Sequence, residues 1–158
     1  MWKKIKPYVI SIAIALAVGG LSSLLTKNNM EVYNNINRPA LAPPMWLFPV
    51  VWSILFILMG ISSAMVWVKR DENREEAFVA LRVYALQLIV NFFWTIIFFN
   101  MQAYLFAFIW LLLLLVLIII MIAQFKKICP KAAYLQIPYI LWVAFAGYLT
   151  LMIYLLNR

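Results

Sequence analysis

Two amides and two aromatic rings recur at helical spacing in an otherwise apolar stretch. Gln87, Asn91, Trp94 and Phe98 stand at intervals of four, three and four residues, which places them on one face of a helix. An amide in hydrocarbon costs free energy unless a partner satisfies it, so this face should turn toward the interior of a helix bundle. Two interpretations remain open. The amides bond neighbouring helices and hold the bundle together, or they orient the polar groups of a ligand.

Two further tryptophans lie deep in other apolar stretches. Trp52 shares a stripe with Phe56, and Trp142 shares a face with Ala146. At 1.5 Å per residue, Trp52 and Asn91 lie roughly 10 to 12 Å below the same end of their predicted helices. Interfacial tryptophans lie much closer to a helix end. The spacing therefore predicts an aromatic pocket in which an amide orients a bound molecule.

The side chains that usually perform acid–base or metal chemistry are absent from the apolar stretches. The chain has no histidine and a single cysteine, Cys129. All five acidic residues lie outside the predicted spans: Glu31, Asp71, Glu72, Glu75 and Glu76. This distribution offers no nucleophile beside a base and no metal-site spacing, and it argues against ion-coupled transport. We therefore predict no metal site, no firm catalytic residue and no required cofactor.

Five apolar stretches are long enough to carry these residues across a membrane. The chain is 68% hydrophobic and 11% charged, which is not the balance of a water-soluble domain. A hydrocarbon layer of about 30 Å requires roughly 20 apolar residues per helix. We expect an all-α integral membrane bundle of five transmembrane helices that forms one domain over residues 1–158. The predicted spans are 8–25, 45–68, 78–99, 104–125 and 132–156.

The basic residues predict the orientation of this bundle. Ten of the 13 lysines and arginines fall on one side of a five-span chain: Lys3, Lys4, Lys6, Lys69, Arg70, Arg74, Arg82, Lys126, Lys127 and Lys131. The positive-inside tendency then places the N-terminus in the cytoplasm and the C-terminus outside. The net charge of +8 is a topology signal, and no nucleic-acid partner is needed to explain it. We expect a multi-pass protein of a bacterial cell membrane.

The start of the chain also has the basic and apolar regions of a signal peptide. Its apolar run is longer than the usual 7 to 15 residues of such peptides, and the orientation is consistent with a retained first helix. We therefore expect the first helix to belong to the bundle.

The connection over residues 27–44 is unusually stiff. Its segment INRPALAPPMW, residues 36–46, contains Pro39, Pro43 and Pro44. Proline fixes φ, removes a backbone donor and restricts the residue before it, so this segment should fold against another part of the molecule. Because it lies at the same end as the predicted pocket, we expect it to form a lid over that pocket.

At these positions the chain resembles the translocator protein family, also called the tryptophan-rich sensory proteins or TspO/MBR family. The resemblance covers nearly the whole chain. It rests on Tyr33 followed by RPALAPP, on Trp52 followed by MG at 59–60, on QLIVNFFWTIIFF at 87–99, and on PYILWVAFA at 138–146.

The resemblance implies a five-helix membrane protein, often a homodimer, that binds porphyrins, sterols and benzodiazepine-type ligands below the first loop. It implies lid contacts at Tyr33, Pro43 and Pro44. It also implies pocket walls at Trp52, Asn91, Trp94, Trp142 and Ala146. Some bacterial members are credited with light-dependent breakdown of protoporphyrin, in which the tryptophans equivalent to Trp52 and Trp142 take part.

The chain departs from the family pattern at three places. The usual Trp-Tyr of the first loop is Val32-Tyr33, the usual Gly-Pro-Val-Trp reads PVVW at 49–52, and a Leu-Asn pair becomes Leu149-Thr150. The sterol motif of animal members is matched only loosely and out of register, by Leu151, Tyr154 and Arg158. Cholesterol is therefore a poor candidate for the natural ligand.

Three functions remain open from the sequence. The leading hypothesis is a receptor or binding protein for hydrophobic tetrapyrroles, such as protoporphyrin IX and haem, and for benzodiazepine-type ligands. The second is a light-dependent porphyrin-degrading enzyme, with Trp52 and Trp142 as the candidate reactive residues. The third is a structural membrane subunit whose aromatic face docks another protein.

Overall fold

A computed structural model describes all 158 residues, and it contains helices and no strands. A short 3₁₀ turn, Lys27–Asn29, follows the first helix, and a π-helical turn, Ile96–Asn100, follows the fourth. The α-helices are α1 (Trp2–Thr26), α2 (Val32–Asn35), α3 (Leu47–Val68), α4 (Arg74–Thr95), α5 (Tyr104–Ile128), α6 (Pro130–Tyr134) and α7 (Ile137–Asn157).

Five helical segments are long and apolar enough to cross a membrane. They are 22 to 28 residues long, and the most apolar window in each has a mean hydropathy between 1.6 and 3.4. In hydrocarbon only a structure that satisfies its own backbone hydrogen bonds is stable, and continuous helices meet that condition. The prediction of an all-α membrane bundle with five spans is confirmed.

The long helices form a ring around a central space. Helix α1 packs along α3 and also contacts α4, α4 packs along α5, and α5 packs along α7. Helices α3 and α7 close the ring through aromatic side chains. Trp52 lies 6.2 Å from Tyr139 and Phe48 lies 5.8 Å from Trp142, measured between ring centroids. Large rings at this junction keep the two helix backbones apart.

Helices α1 and α3 approach closely because each presents a glycine to the other. A Cβ at Gly60 would lie 2.5 Å from Cα of Ile12, and a Cβ at Gly19 would lie 2.5 Å from the ring of Phe56. Small residues permit such contacts, and close packing is the main source of helix association in lipid. Helix α1 is thereby a part of the bundle, although most of its surface faces outward.

Several helix boundaries differ from the predicted ones. Helix α1 begins at Trp2 because its lysines continue the helix beyond the apolar run. Helix α4 begins at Arg74, since the side chain of Asn73 accepts a hydrogen bond from the backbone N–H of Glu76 at 3.2 Å and caps the helix. These added turns are polar, so apolar length alone does not reveal them.

The predicted fifth span, 132–156, is divided into two helices. Helix α6 ends at Tyr134, and Pro138 lies in the first turn of α7. The nitrogen of a proline in the first turn needs no intrahelical hydrogen-bond partner. An interior proline removes one backbone hydrogen bond, and its ring clashes with the carbonyl four residues earlier. The chain therefore breaks before Pro138 instead of kinking around it.

Candidate ligand-binding site

A cavity of about 280 Å³ lies inside the ring, at the end where the connection between α1 and α3 crosses the bundle. Its walls come from α1, α3, α4, the π-helical turn and α7. Pro49 and Ser53 of α3, and Gly20 and Ser23 of α1, line the cavity and are exposed on the outside of the bundle. The cavity is therefore open between α1 and α3.

The connection between α1 and α3 covers one end of this cavity. Met30, Tyr33 and Met45 from the connection all line the cavity. Tyr33 is 1% exposed, and its hydroxyl donates a hydrogen bond of 2.6 Å to the backbone carbonyl of Pro43. Pro43 is buried and Pro44 is exposed, and neither lines the cavity. The prolines shape the covering segment, and Tyr33 is the residue that reaches inward.

Two side chains pack against the ring of Tyr33. The Arg38 guanidinium lies 4.7 Å from the ring centroid, and the Phe48 ring is nearly perpendicular to the Tyr33 ring, with the two centroids 5.1 Å apart. Burial raises the pKa of the Tyr33 hydroxyl, and the nearby Arg38 partly opposes this shift. The hydroxyl is thus protonated at neutral pH and able to donate its hydrogen bond.

A second attachment holds the same segment to the end of α7. The backbone N–H of Asn37 donates to Oδ1 of Asn157 at 3.0 Å, and Nδ2 of Asn157 donates to the carbonyl of Asn37 at 2.8 Å. This pair is exposed, so water competes for each bond and the net stabilisation of each is small. The attachment at Tyr33 is buried, which makes it the stronger of the two.

Aromatic rings form one continuous wall of the cavity. Trp52 of α3 and Trp94 of α4 lie 6.4 Å apart with a tilt of 37°, and Phe98 lies 5.4 Å from Trp94. All three line the cavity. Aromatic rings that line a cavity are able to stack on a flat molecule, and stacking adds to the free energy of apolar burial.

Beside this wall, a buried hydrogen-bond chain joins α4 to α7. Nδ2 of Asn91 donates to the hydroxyl of Tyr139 at 2.7 Å, and that hydroxyl donates to Oε1 of Gln87 at 2.7 Å. Only Asn91 of these three lines the cavity, and its Oδ1 accepts no hydrogen bond from the protein. Gln87 therefore joins helices, whereas Asn91 both joins helices and offers an acceptor to the cavity.

The site has no group suited to acid–base or metal chemistry. No histidine, aspartate, glutamate, lysine or arginine lines the cavity, and no cluster of three potential metal ligands exists in the molecule. What the cavity offers is apolar burial, stacking and a few hydrogen bonds.

Comparison with known proteins connects this geometry to a family. Residues 11–156 match the TspO/MBR family. The chain belongs to the TspO/MBR family. It is similar to the tryptophan-rich protein TspO of Chlorobaculum tepidum, with 37% identity covering 99% of both chains. It is also similar to protein CrtK of Rhodobacter capsulatus (35% identity, 95% and 90% covered) and to the bovine translocator protein (31%, 90% and 87% covered).

Membership of the TspO/MBR family confirms the resemblance found in the sequence and makes the chain a membrane protein of the translocator and tryptophan-rich sensory type. Four of the pocket walls that the resemblance implied line the cavity: Trp52, Asn91, Trp94 and Ala146. Trp142 does not. It packs against Phe48, which does line the cavity, and lies 5.7 Å from Phe145, and its indole N–H has no partner.

Several lining residues were not singled out from the sequence as site residues. Ser22 and Ser23 of α1 and Thr150 of α7 line the cavity. The hydroxyl of Thr150 donates to the carbonyl of Ala146 at 2.7 Å, so it is already satisfied within its own helix. The signal available in the sequence was the run of small residues opposite the predicted tryptophans, because small side chains leave space beside large ones.

Proposed function

We propose that the cavity binds flat hydrophobic tetrapyrroles, such as protoporphyrin IX and haem, and benzodiazepine-type ligands. The observation that carries this proposal is the Trp52–Trp94–Phe98 wall beside the free carbonyl oxygen of Asn91. Stacking and apolar burial supply affinity for a flat ring system, and a single amide orients its polar groups. A ligand larger than 280 Å³ extends through the opening between α1 and α3. The porphyrin is the ligand or substrate, and no further cofactor is required.

Titration with protoporphyrin IX tests this proposal. Purified protein in neutral detergent is mixed with increasing porphyrin, and the Soret absorption and tryptophan fluorescence are followed. We expect saturable binding with one porphyrin per chain. Asn91→Leu should weaken binding, whereas Phe106→Leu, on the outer surface of α5, should not. Equal affinities for both variants, or no saturation in the unmodified protein, would remove the cavity as the site.

A second candidate function is light-dependent oxidation of the bound porphyrin. Trp52 favours it, because this easily oxidised ring lines the cavity and lies 6.2 Å from Tyr139. The excited porphyrin would lose an electron, Trp52 would relay it, and dioxygen would accept it as the oxidant and become superoxide. Illumination of the saturated complex in air tests this: steady loss of the Soret band supports degradation, and an unchanged spectrum supports binding alone.

We also propose that the protein forms a homodimer, as the family resemblance implies, and that its N-terminus is cytoplasmic, as the basic residues predict. Labelling of single-cysteine variants in intact cells tests the orientation, with Cys129 replaced by serine. A probe at Asn37 should react with an impermeant reagent from outside, and a probe at Asn73 should not. The reverse pattern would place the N-terminus outside.

A third function, a structural subunit that docks another protein, would be favoured by a folded protein that binds no porphyrin.

A further inference from the structure

We propose that a second cavity, at the opposite end of the bundle, holds an anionic phospholipid. This cavity has a volume of about 480 Å³, which is within the usual range for small-molecule sites. It lies between the N-terminal half of α1, the C-terminal end of α3 and the first turns of α4, and it shares no residue with the cavity under the connection. The proposal is therefore independent of porphyrin binding.

The chemistry of the cavity changes from apolar to cationic along its length. Ile10, Ile14 and Leu81 line the apolar part, and Lys6 lines the end nearest the N-terminus. The acidic residues of this end lie in the connection before α4 and in its first turn, and none of them lines the cavity. An acyl chain fits the apolar part, and a negatively charged headgroup would lie beside Lys6.

A second cation stands next to this end of the cavity. The Arg70 guanidinium lies 4.1 Å above the ring of Trp67, which lines the cavity, and it donates to the Trp67 carbonyl at 2.8 Å. Trp67 is 38% exposed and suited to the headgroup level of a bilayer. Basic pockets between transmembrane helices at this level are typical binding sites for anionic lipid headgroups.

The cavity is accessible from the surrounding membrane. Lys6, Ile10 and Ile14 are exposed on the outside of the bundle, so the lipid reaches the site directly from the bilayer.

The test compares two lipids with the same acyl chains and different headgroup charges. The full chain in neutral detergent is titrated with dioctanoyl phosphatidylglycerol or dioctanoyl phosphatidylcholine, and bound lipid is counted by native mass spectrometry. One lysine near a headgroup corresponds to about a fivefold difference in affinity. We expect phosphatidylglycerol to bind at least fivefold more tightly, and Lys6→Gln to lower that preference about fivefold without changing phosphatidylcholine binding.

Two further variants separate the cavity from general surface charge. Lys4→Gln removes the same charge from the same helix but does not line the cavity, so the preference should persist. Ser11→Phe fills the cavity and should lower the affinity for both lipids about tenfold. Equal effects of Lys4→Gln and Lys6→Gln, no headgroup preference in the unmodified protein, or displacement of the lipid by millimolar inorganic phosphate would overturn the proposal.

Discussion

Tyr139 joins two helices through one hydroxyl, and its removal has a calculable effect. In Tyr139→Phe, Asn91 loses the acceptor at 2.7 Å and Gln87 loses the donor at 2.7 Å. Both amides are buried, at 3% and 0% exposure, and Gln87 does not line the cavity, so water does not replace its lost partner. Interhelical hydrogen bonds in membrane proteins contribute about 0.6 kcal/mol on average and up to about 1.7. We expect the two losses together to lower the free energy of unfolding by about 1 to 3 kcal/mol.

Reversible unfolding in mixed micelles with increasing sodium dodecyl sulfate measures this change, with tryptophan fluorescence as the readout. Tyr148→Phe is the matched control, because Tyr148 is on the same helix, is 42% exposed and makes no side-chain hydrogen bond. Its unfolding midpoint should equal that of the unmodified protein. An equal midpoint for Tyr139→Phe would refute the inference that the hydroxyl stabilises the α4–α7 junction.

A double-mutant cycle measures the contribution of the hydrogen bond between Tyr139 and Gln87 directly. Gln87→Leu alone leaves the Tyr139 hydroxyl without its acceptor, whereas the double variant Gln87→Leu with Tyr139→Phe removes both partners. Removal of both partners costs less than the sum of the single changes, because no buried group is left unsatisfied on that side. We expect a coupling free energy of at least about 0.5 kcal/mol. Strict additivity would show that the hydrogen bond contributes nothing.

Three other predictions concern the covering segment, the aromatic wall and the α1–α3 contact. Replacing Pro43 and Pro44 with glycine should speed porphyrin dissociation in stopped-flow measurements, because the segment gains chain entropy; an unchanged rate in a folded variant would contradict its role as a lid. Trp52→Phe should weaken porphyrin binding by up to about tenfold, whereas Trp142→Phe, at a residue that does not line the cavity, should change the affinity by less than about twofold. Gly60→Leu should destabilise the bundle by more than about 2 kcal/mol in the same detergent unfolding assay, because its side chain meets the backbone of α1.

Much of the fold follows from local properties of the sequence. The five spans are readable because a membrane helix must be long and apolar whatever it packs against, and each predicted stretch meets that condition by itself. The inward direction of Gln87 and Asn91 is readable for a similar reason. Lipid tails offer an amide no hydrogen-bond partner, so its face of the helix must point to the interior of the bundle, where both residues lie.

Other features depended on contacts between helices that are far apart in the sequence. Periodicity treats Trp52 and Trp142 alike, but only Trp52 reaches the cavity, because Phe48 of α3 lies against Trp142. The position of α6 beside α3 likewise depends on such a contact, in which the Ser62 hydroxyl donates to the carbonyl of Ala132 at 2.7 Å. Helical spacing defines which face a residue occupies, whereas the neighbour across that face decides whether its side chain meets a ligand, a lipid or another ring.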